Sequence, residues 1–385
     1  MDKEKSIKIK DWGQLIDARF IERPNRFVVM ARLSSGDVVR AFLPNPGRLH
    51  ELLFPGSPLL LMPNSDPDRS TSHTVMSVER EGKPVFLHTH YTNNVAGTLI
   101  ERGLVPGLNG ATITRSEVPL GRSRFDFLLE KDGSPLYLEV KSCTLFGNRV
   151  AMFPDAVTER GRRHLIELAG LSENGVQAAV MFVVHTPEVD WFMPDYHTDL
   201  AFSRTFLDVK DRVPVIPLSV EWTAELKLRQ RVRRLEVPWG HIETEAKDRG
   251  AYLLLVRVDR DRRVTVGRLG SLTFKAGWHV YVGSAMKALS ARIERHKRRR
   301  KKMHWHVDWL RDVADRVEAL PIRTSKRIEC GLSRDMAGLF DRGPIGFGSS
   351  DCGCDAHLFF SRTDPLDAPA FHDVLQKYRM GRPDY

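Results

Sequence analysis

The chain has 385 residues, too many for one ordinary core, so length alone predicts two or three domains. Its 42% hydrophobic and 28% charged residues exclude disorder as the default state, and no apolar run approaches the roughly 20 residues that span a bilayer. A net charge of +10, from 59 Lys and Arg against 49 Asp and Glu, favours an anionic partner, of which nucleic acid is the commonest.

The opening MDKEKSIKIKDW lacks the apolar core and cleavage site of a secretion signal, so the expectation is a cytoplasmic protein that does not associate with membranes. Four cysteines are too few for a disulfide framework and suit a reducing compartment. From about 14 to 82, short β-rich pieces (RFVVMARL, VVRAFL, PLLLM, HTVMSVER) alternate with Pro, Gly and Asn turns, the pattern of a small antiparallel barrel of the OB type. From about 84 to 220, strands (SRFDFLLE, PLYLEVKS, AAVMFVV) mix with helical stretches such as NNVAGTLIERG, which reads as α/β. Residues 221 to 245 are highly charged and read as an exposed helix plus linker. A new apolar strand, AYLLLVRV, then opens another domain. The expected organisation is therefore an OB-like domain over 1–82, an α/β domain over 83–220, a charged linker over 221–245, a further α/β domain over 246–362 and a tail over 363–385.

The α/β region carries carboxylates on strands that otherwise read as buried. On PLYLEVKS, Tyr137, Glu139 and Lys141 share one face, and Leu136, Leu138 and Val140 take the other. On SRFDFLLE, Phe125, Phe127 and Leu129 take one face, and Arg124 and Asp126 the other. A hairpin across EKDGSP sets Asp126 beside Glu139. Two close carboxylates repel, and a divalent cation with hard oxygen ligands, Mg²⁺ or Mn²⁺, resolves the conflict. Such an ion acidifies a water that can attack a phosphodiester, with Lys141 positioning the nucleophile or neutralising developing charge. The competing reading is a salt-bridge group on the solvent side of an amphipathic hairpin. Downstream, Asp155 can N-cap a helix on which Arg160, His164 and Leu168 form one stripe, with Arg160 and His164 as candidate phosphate contacts or simply exposed groups.

The stretches RPNRFVV (23–29), PNPGRLHELLFPG (44–56), GRSRFDFLL (121–129), LYLEVKS (136–142) and FPDAVTERGRRHLIEL (153–168) resemble the sugar fermentation stimulation protein A family over roughly 14–220. The resemblance implies an OB-fold domain followed by a PD-(D/E)XK nuclease domain that acts on DNA or RNA. It assigns Asp126, Glu139 and Lys141 to the nuclease signature, with Asp126 and Glu139 as metal ligands and Glu101 or Glu117 as further acids. Phe125 stands where the signature has proline, and Phe42 where members often have histidine. Arg23, Asn25, Arg26, Asn45 and Arg48 of the barrel are candidate nucleic-acid contacts, as is Arg124, while Asn45 and Gly47 equally suit a turn.

In the last domain, GAYLLLVRV (250–258) and GWHVYVGSA (277–285) read as strands, and KALSARIERHKRRRKK as a helix with Leu289, Ile293 and His296 on one stripe. GAY, YVG and the helix arginine resemble the GIY-YIG nuclease superfamily in a divergent form. That implies catalytic roles for Tyr252, Tyr281 and Arg292 and a divalent ion held by Glu329, with a structural carboxylate as the other reading of Glu329. His296 joins the candidate nucleic-acid contacts. The run KRRRKK (297–302) is either a phosphate-neutralising edge or a solvated helix end. Cys352, Cys354 and His357 offer three Zn²⁺ ligands, with Cys330, His304 or His306 as a fourth, or else are buried thiols and capping groups.

The sequence as a whole reads as a three-part nucleic-acid protein that hydrolyses phosphodiester bonds with a metal. The alternative is a non-catalytic DNA-binding transcriptional regulator of sugar metabolism. No Walker A or dinucleotide fingerprint supports a sugar- or nucleotide-converting enzyme, and the oligomeric state is left open.

Overall fold

The N-terminal β-rich pieces form strands because alternating apolar residues fill one interior. In the computed structural model, which describes residues 6–66, 68–121, 123–381 and 383, these are β1 (Ile16–Asn25), β2 (Val28–Leu33), β3 (Val38–Phe42), β4 (Pro58–Pro63), β5 (His73–Arg80) and β6 (Lys83–Phe86). The first five close into a barrel. Antiparallel pairings run β3–β2–β1–β4–β5, and β5 returns to β3 by a short parallel pairing, Ala41 with His73 and Phe42 with Thr74. Closure leaves no sheet edge between the first and last barrel strands. Val29, Ala31, Leu61 and Val75, all fully buried, fill the inside.

The mixed α/β part follows with α1 (Thr92–Glu101), β7 (Thr112–Leu120), β8 (Ser123–Lys131), β9 (Ser134–Cys143), α2 (Glu159–Glu173), β10 (Gln177–Val184), β11 (Val215–Ser219) and the two-residue β12 (Arg233–Arg234). The sheet order is β12–β11–β10–β9–β8–β7. β9, β10 and β11 run parallel to one another, and the near-continuous apolar run of β10 reflects burial on both faces. One face packs under α1, where Val95 and Leu99 meet Leu138, Val140 and Met181. The other packs under α2, and its core of Leu165, Leu168 and Phe182 runs on into the barrel interior. Barrel and sheet therefore belong to one compact unit, Met1–Asp195 with Ala201–Trp239.

The second unit comprises Tyr196–Leu200 and Gly240–Tyr385. Its elements are β13 (Gly250–Val258), β14 (Gly277–Ala285), α3 (Leu289–Lys297), α4 (His306–Val313), β15 (Arg316–Arg323), α5 (Glu329–Ala337), β16 (Leu358–Ser361) and α6 (Pro369–Arg379). The antiparallel order is β15–β13–β14–β16, with Asp341–Arg342 at the edge. Alternate residues of β13 divide between two cores: Tyr252, Leu254 and Val256 on one face, Ala251, Leu253 and Leu255 on the other.

Two stretches differ from expectation. Residues 221–239 are not an exposed linker: Leu228–Arg229 pairs with Ser6–Ile7, β12 extends the sheet, and Trp222, Leu226, Leu228 and Leu235 are buried. Isolated apolar anchors do this work, a pattern without period that charge density hides. The expected tail also folds, since α6 buries Phe371 and Leu375, one turn apart, against the sheet core. Arg122 of the GRSRFDFLL stretch and residues 1–5, 67, 382, 384 and 385 lie outside the described residues.

Trp222 gives the sharpest test of the first correction. Its ring stacks on Phe86 at 4.4 Å between centroids, and its Nε1 donates to His185 Nδ1 at 3.1 Å. Trp222→Ala should destabilise the first unit by about 3 to 5 kcal/mol. A linker residue would change little, so an unshifted urea midpoint would contradict the packing described.

Candidate functional site

The site begins where two strands part. β8 and β9 pair antiparallel from Lys131 with Ser134 up to Phe127 with Leu138, and no further. Beyond that point β8 keeps its partner β7, and β9 keeps β10. The Val140 N–H, released from β8, donates to Asp126 Oδ2 at 2.6 Å, so the carboxylate stands in for the missing backbone acceptor. Phe125 leaves the face of Phe127 and sets its ring edge-on to Tyr137 and His164. The strict alternation expected along β8 fails at this one residue.

Asp126 Oδ1 accepts from Asn93 Nδ2 at 2.8 Å, and the same amide lies 3.3 Å from Glu117 Oε1. Glu117 sits at φ +52° on β7, near the pocket, whereas Glu101 is exposed at the end of α1 and does not line it. Glu139 is buried. Its Oε1 accepts from Lys141 Nζ and from His164 Nδ1, the latter at 2.5 Å. Arg160 Nε donates to His164 Nε2 at 3.4 Å, one helical turn away, which places the imidazole proton on Nδ1, facing Glu139. Glu139 Oε2 has no hydrogen-bond donor among the described residues.

The two carboxyls are pushed in opposite directions. Burial raises the pKa of Asp126, and the Glu139 charge adds to it, against the Val140 N–H, Lys141 and Asn93. For Glu139 burial is the largest single influence and pushes upward, but the His164 hydrogen bond and the Lys141 charge together hold the pKa below its ordinary value. An ionised carboxylate with one orphaned buried oxygen, beside a second carboxyl, is a donor set that suits a hard divalent cation.

A cavity of about 540 Å³ opens over Asp126 and Lys141, walled by Arg160, by His90 and Asn93, and by the barrel loop Asn45–Gly47. Several residues expected to touch nucleic acid instead hold barrel turns and loops in place. Arg23 donates to the carbonyls of Arg48 and Arg26 at 2.6 Å each and to that of Asn45 at 3.1 Å. Asn45 Oδ1 accepts from Gly47 N at 2.9 Å, and Asn25 Oδ1 from Phe27 N at 2.9 Å, both turn-forming bonds. Arg26, Arg48 and Arg124 are exposed. His164 is buried on Glu139, not presented to solvent, because Phe125 and Glu139 cover it.

Asp155 does not cap α2. Thr158 does, accepting from Gly161 N at 3.1 Å, since the helix starts one residue after it. Asp155 turns toward the barrel loop and accepts from Leu49 N at 3.4 Å. A Cβ on Gly47 would lie 2.2 Å from Asp155 Oδ2, so only glycine lets the loop close down here. Burial raises the Asp155 pKa, and burial together with Asp155 lifts Glu51 to about 7. Asp155, His90 and Asn93 were not legible as site residues. THYTNN carries no spacing signal, and Asp155 offered a simpler role as a cap.

In the second unit, Tyr252, Tyr281, Arg292 and Glu329 line one cavity of about 180 Å³. Tyr252 pairs with Gly283 across β13 and β14, and a Cβ on Gly283 would lie 2.4 Å from the Tyr252 hydroxyl. Burial raises the pKa of both tyrosines. The Arg292 guanidinium lies over the Trp305 ring at 4.2 Å. His296 is buried, bonded to the Tyr252 hydroxyl at 3.0 Å and 3.3 Å from Asp308 Oδ1, so it braces the pocket and is not a nucleic-acid contact. The basic run divides: Lys301 pairs with buried Asp308 at 2.9 Å, while Lys297, Arg298, Arg299, Arg300 and Lys302 are exposed.

Three family models match the chain: the sugar fermentation stimulation protein N-terminal OB domain over residues 21–87, the RE domain of the same protein over 90–226, and a domain of unknown function, DUF123, over 251–380. The chain is 36% identical over 222 residues to the sugar fermentation stimulation protein homolog of Methanothermobacter thermautotrophicus, covering 57% of this chain and 92% of that one. It is 41% identical over 195 residues to the homolog of Moorella thermoacetica, covering 50% and 84%. The solved structure of Pyrococcus furiosus SfsA in complex with Ca²⁺ superposes with a TM-score of 0.55 at 28% identity, over 60% of this chain and 99% of that one. No helix among the described residues is long and apolar enough to cross a membrane.

The wall acids make stability depend on pH. Glu51 binds a proton more tightly folded, at about 7, than its ordinary 4.5, so stability falls as pH rises through that window, by on the order of 3 kcal/mol. Glu51→Gln mimics the protonated acid. Its stability relative to wild type should climb between pH about 4.5 and 7 in denaturant titrations. A pH-independent difference would show that Glu51 is not buried as described.

Proposed function

Because the chain belongs to the sugar fermentation stimulation protein family, we propose that it binds nucleic acid across its barrel and sheet and hydrolyses phosphodiester bonds with a divalent metal at Asp126 and Glu139. In this reading the mixed α/β part is a nuclease domain of the PD-(D/E)XK kind. The observation that carries the proposal is the orphaned Oε2 of buried Glu139, a carboxylate close enough to Asp126 to raise its pKa, behind a cavity that Asp126 and Lys141 line together with the barrel loop. Carboxylates aimed at a polyanion gain nothing for simple phosphate binding. The relative from Pyrococcus furiosus is described in complex with Ca²⁺, a cation of the same hard, oxygen-seeking class.

When bound, Mg²⁺ or Mn²⁺ supplies charge neutralisation and acidifies a water molecule. The chain's own groups do the rest. His164 and Lys141 hold Glu139 ionised, Arg160 fixes the His164 ring, and Glu139 Oε2 is left without a donor among the described residues. Asn93 and the Val140 N–H fix both oxygens of Asp126. Lys141, now paired with Glu139, would neutralise charge developing on a scissile phosphate. Exposed Arg26, Arg48 and Arg124 with the half-exposed Phe27 supply phosphate contacts and a stacking surface. Tyr252, Tyr281 and Arg292 form a second candidate centre of the GIY-YIG kind.

The test is incubation of labelled DNA and RNA, single- and double-stranded, with Mg²⁺, Mn²⁺ or EDTA. Wild type should cut only with metal, and Asp126→Ala and Lys141→Ala should each lose about 10²-fold or more while still binding. Binding with no metal-dependent cutting by wild type would favour the DNA-binding regulator. Cutting lost only in Tyr281→Phe would move the chemistry to the second unit.

A further inference from the structure

Outside the two cavities, one side-chain cluster in the second unit has no role in either reading. Cys330 is the second residue of α5, Cys352 and Cys354 sit in the loop that follows Arg342, and His357 immediately precedes β16. The three sulfurs and one imidazole nitrogen all lie within 4.8 Å of one another, and Cys352 Sγ is 3.5 Å from His357 Nε2. Ligand atoms in a tetrahedral zinc site stand roughly 3.5 to 3.8 Å apart. A contraction of about 1 Å in the longest separation closes such a site, within the reach of side-chain rotation.

The imidazole is already aimed in the sense such a site needs. Nε2 faces the sulfurs, while Nδ1, buried and without a hydrogen bond of good geometry, faces Glu329 Oε1 at 3.5 Å. Glu329 Oε2 accepts from Ser284 Oγ on β14. A carboxylate behind a histidine whose other nitrogen faces thiols is the outer-shell arrangement of zinc sites, in which the carboxylate fixes tautomer and ring orientation. The loop itself calls for a fixed point. Between Gly343 and Asp355 it holds no helix or strand, and Ile345 is exposed, so Phe347 is its main apolar anchor.

We propose that Cys330, Cys352, Cys354 and His357 bind one zinc ion that ties the 343–357 loop to α5 and, through His357, fixes Glu329 in the tyrosine pocket. Glu329 is then the outer carboxylate of a structural metal site, not itself a ligand of a catalytic ion. The zinc is four-coordinate with no open position, so it holds structure and performs no chemistry. The proposal does not depend on whether either cavity catalyses phosphodiester cleavage.

The full chain, purified under reducing conditions without a histidine tag, should retain one zinc per chain after dialysis, measured by plasma mass spectrometry. Replacement by Co²⁺ should give a thiolate-to-cobalt charge-transfer band with tetrahedral d–d bands. Cys352→Ser with Cys354→Ser should abolish both signals, and Glu329→Gln should retain zinc with about 10- to 100-fold weaker affinity in a chelator competition. Should the cysteine variant fail to fold, the wild type decides alone. Wild-type protein that holds no zinc and gives no sulfur-to-cobalt band overturns the proposal, as does zinc content unchanged in a folded double variant.

Discussion

The first unit depends on a single event in its sheet, the parting of two strands at Phe127 and Leu138. Once the ladder stops, one backbone N–H needs a new acceptor, and an unpaired buried N–H costs about as much as a lost hydrogen bond. Asp126 meets that need with one oxygen and keeps its second on Asn93. On the α2 face of β9, Glu139 is held ionised by His164 of α2 and by Lys141 of its own strand. One member of the carboxylate pair is thus positioned by a gap in backbone pairing.

Around the pair, the barrel contributes a wall through backbone geometry more than through charge. Arg23 spends its guanidinium on the carbonyls of Asn45 and Arg48 at this loop and of Arg26 in the β1–β2 turn, and Gly47 lets the loop settle on Asp155. Stability and site shape are coupled through this contact. Two acids with raised pKa values, Asp155 lining the cavity and Glu51 buried near it, make an arrangement less stable than neutral side chains of the same shape would be. Retaining such strain is typical of places where geometry serves a function.

Much of this was legible in the sequence. Alternation put Glu139 and Lys141 on one face of β9, turn residues marked the hairpin, and the barrel strands followed their apolar pieces. The chain's membership of the sugar fermentation stimulation protein family agrees with the five motifs that suggested it. What escaped had physical reasons. Periodicity describes a strand that stays in its sheet, so it could not show that Phe125 turns onto His164 where β8 leaves β9. His164 and His296 share stripes with Leu168 and with Leu289 and Ile293, a burial signal that the charges around them on each helix outweighed. Residues 221–239 hide four anchors among many charges. The i, i+4 pair Phe371 and Leu375 is a readable helix signal near the end of the chain.

The central claim is that Asp126 and Glu139 hold a cation together. Its most direct test is a crystal soaked in Mn²⁺ and measured for anomalous scattering. The account predicts a peak roughly 2.0 to 2.3 Å from an oxygen of Asp126 and from Oε2 of Glu139, with the Lys141 ammonium turned away from the carboxylate. A peak bound elsewhere, or crystals that take up Mn²⁺ without density between these two side chains, would contradict it.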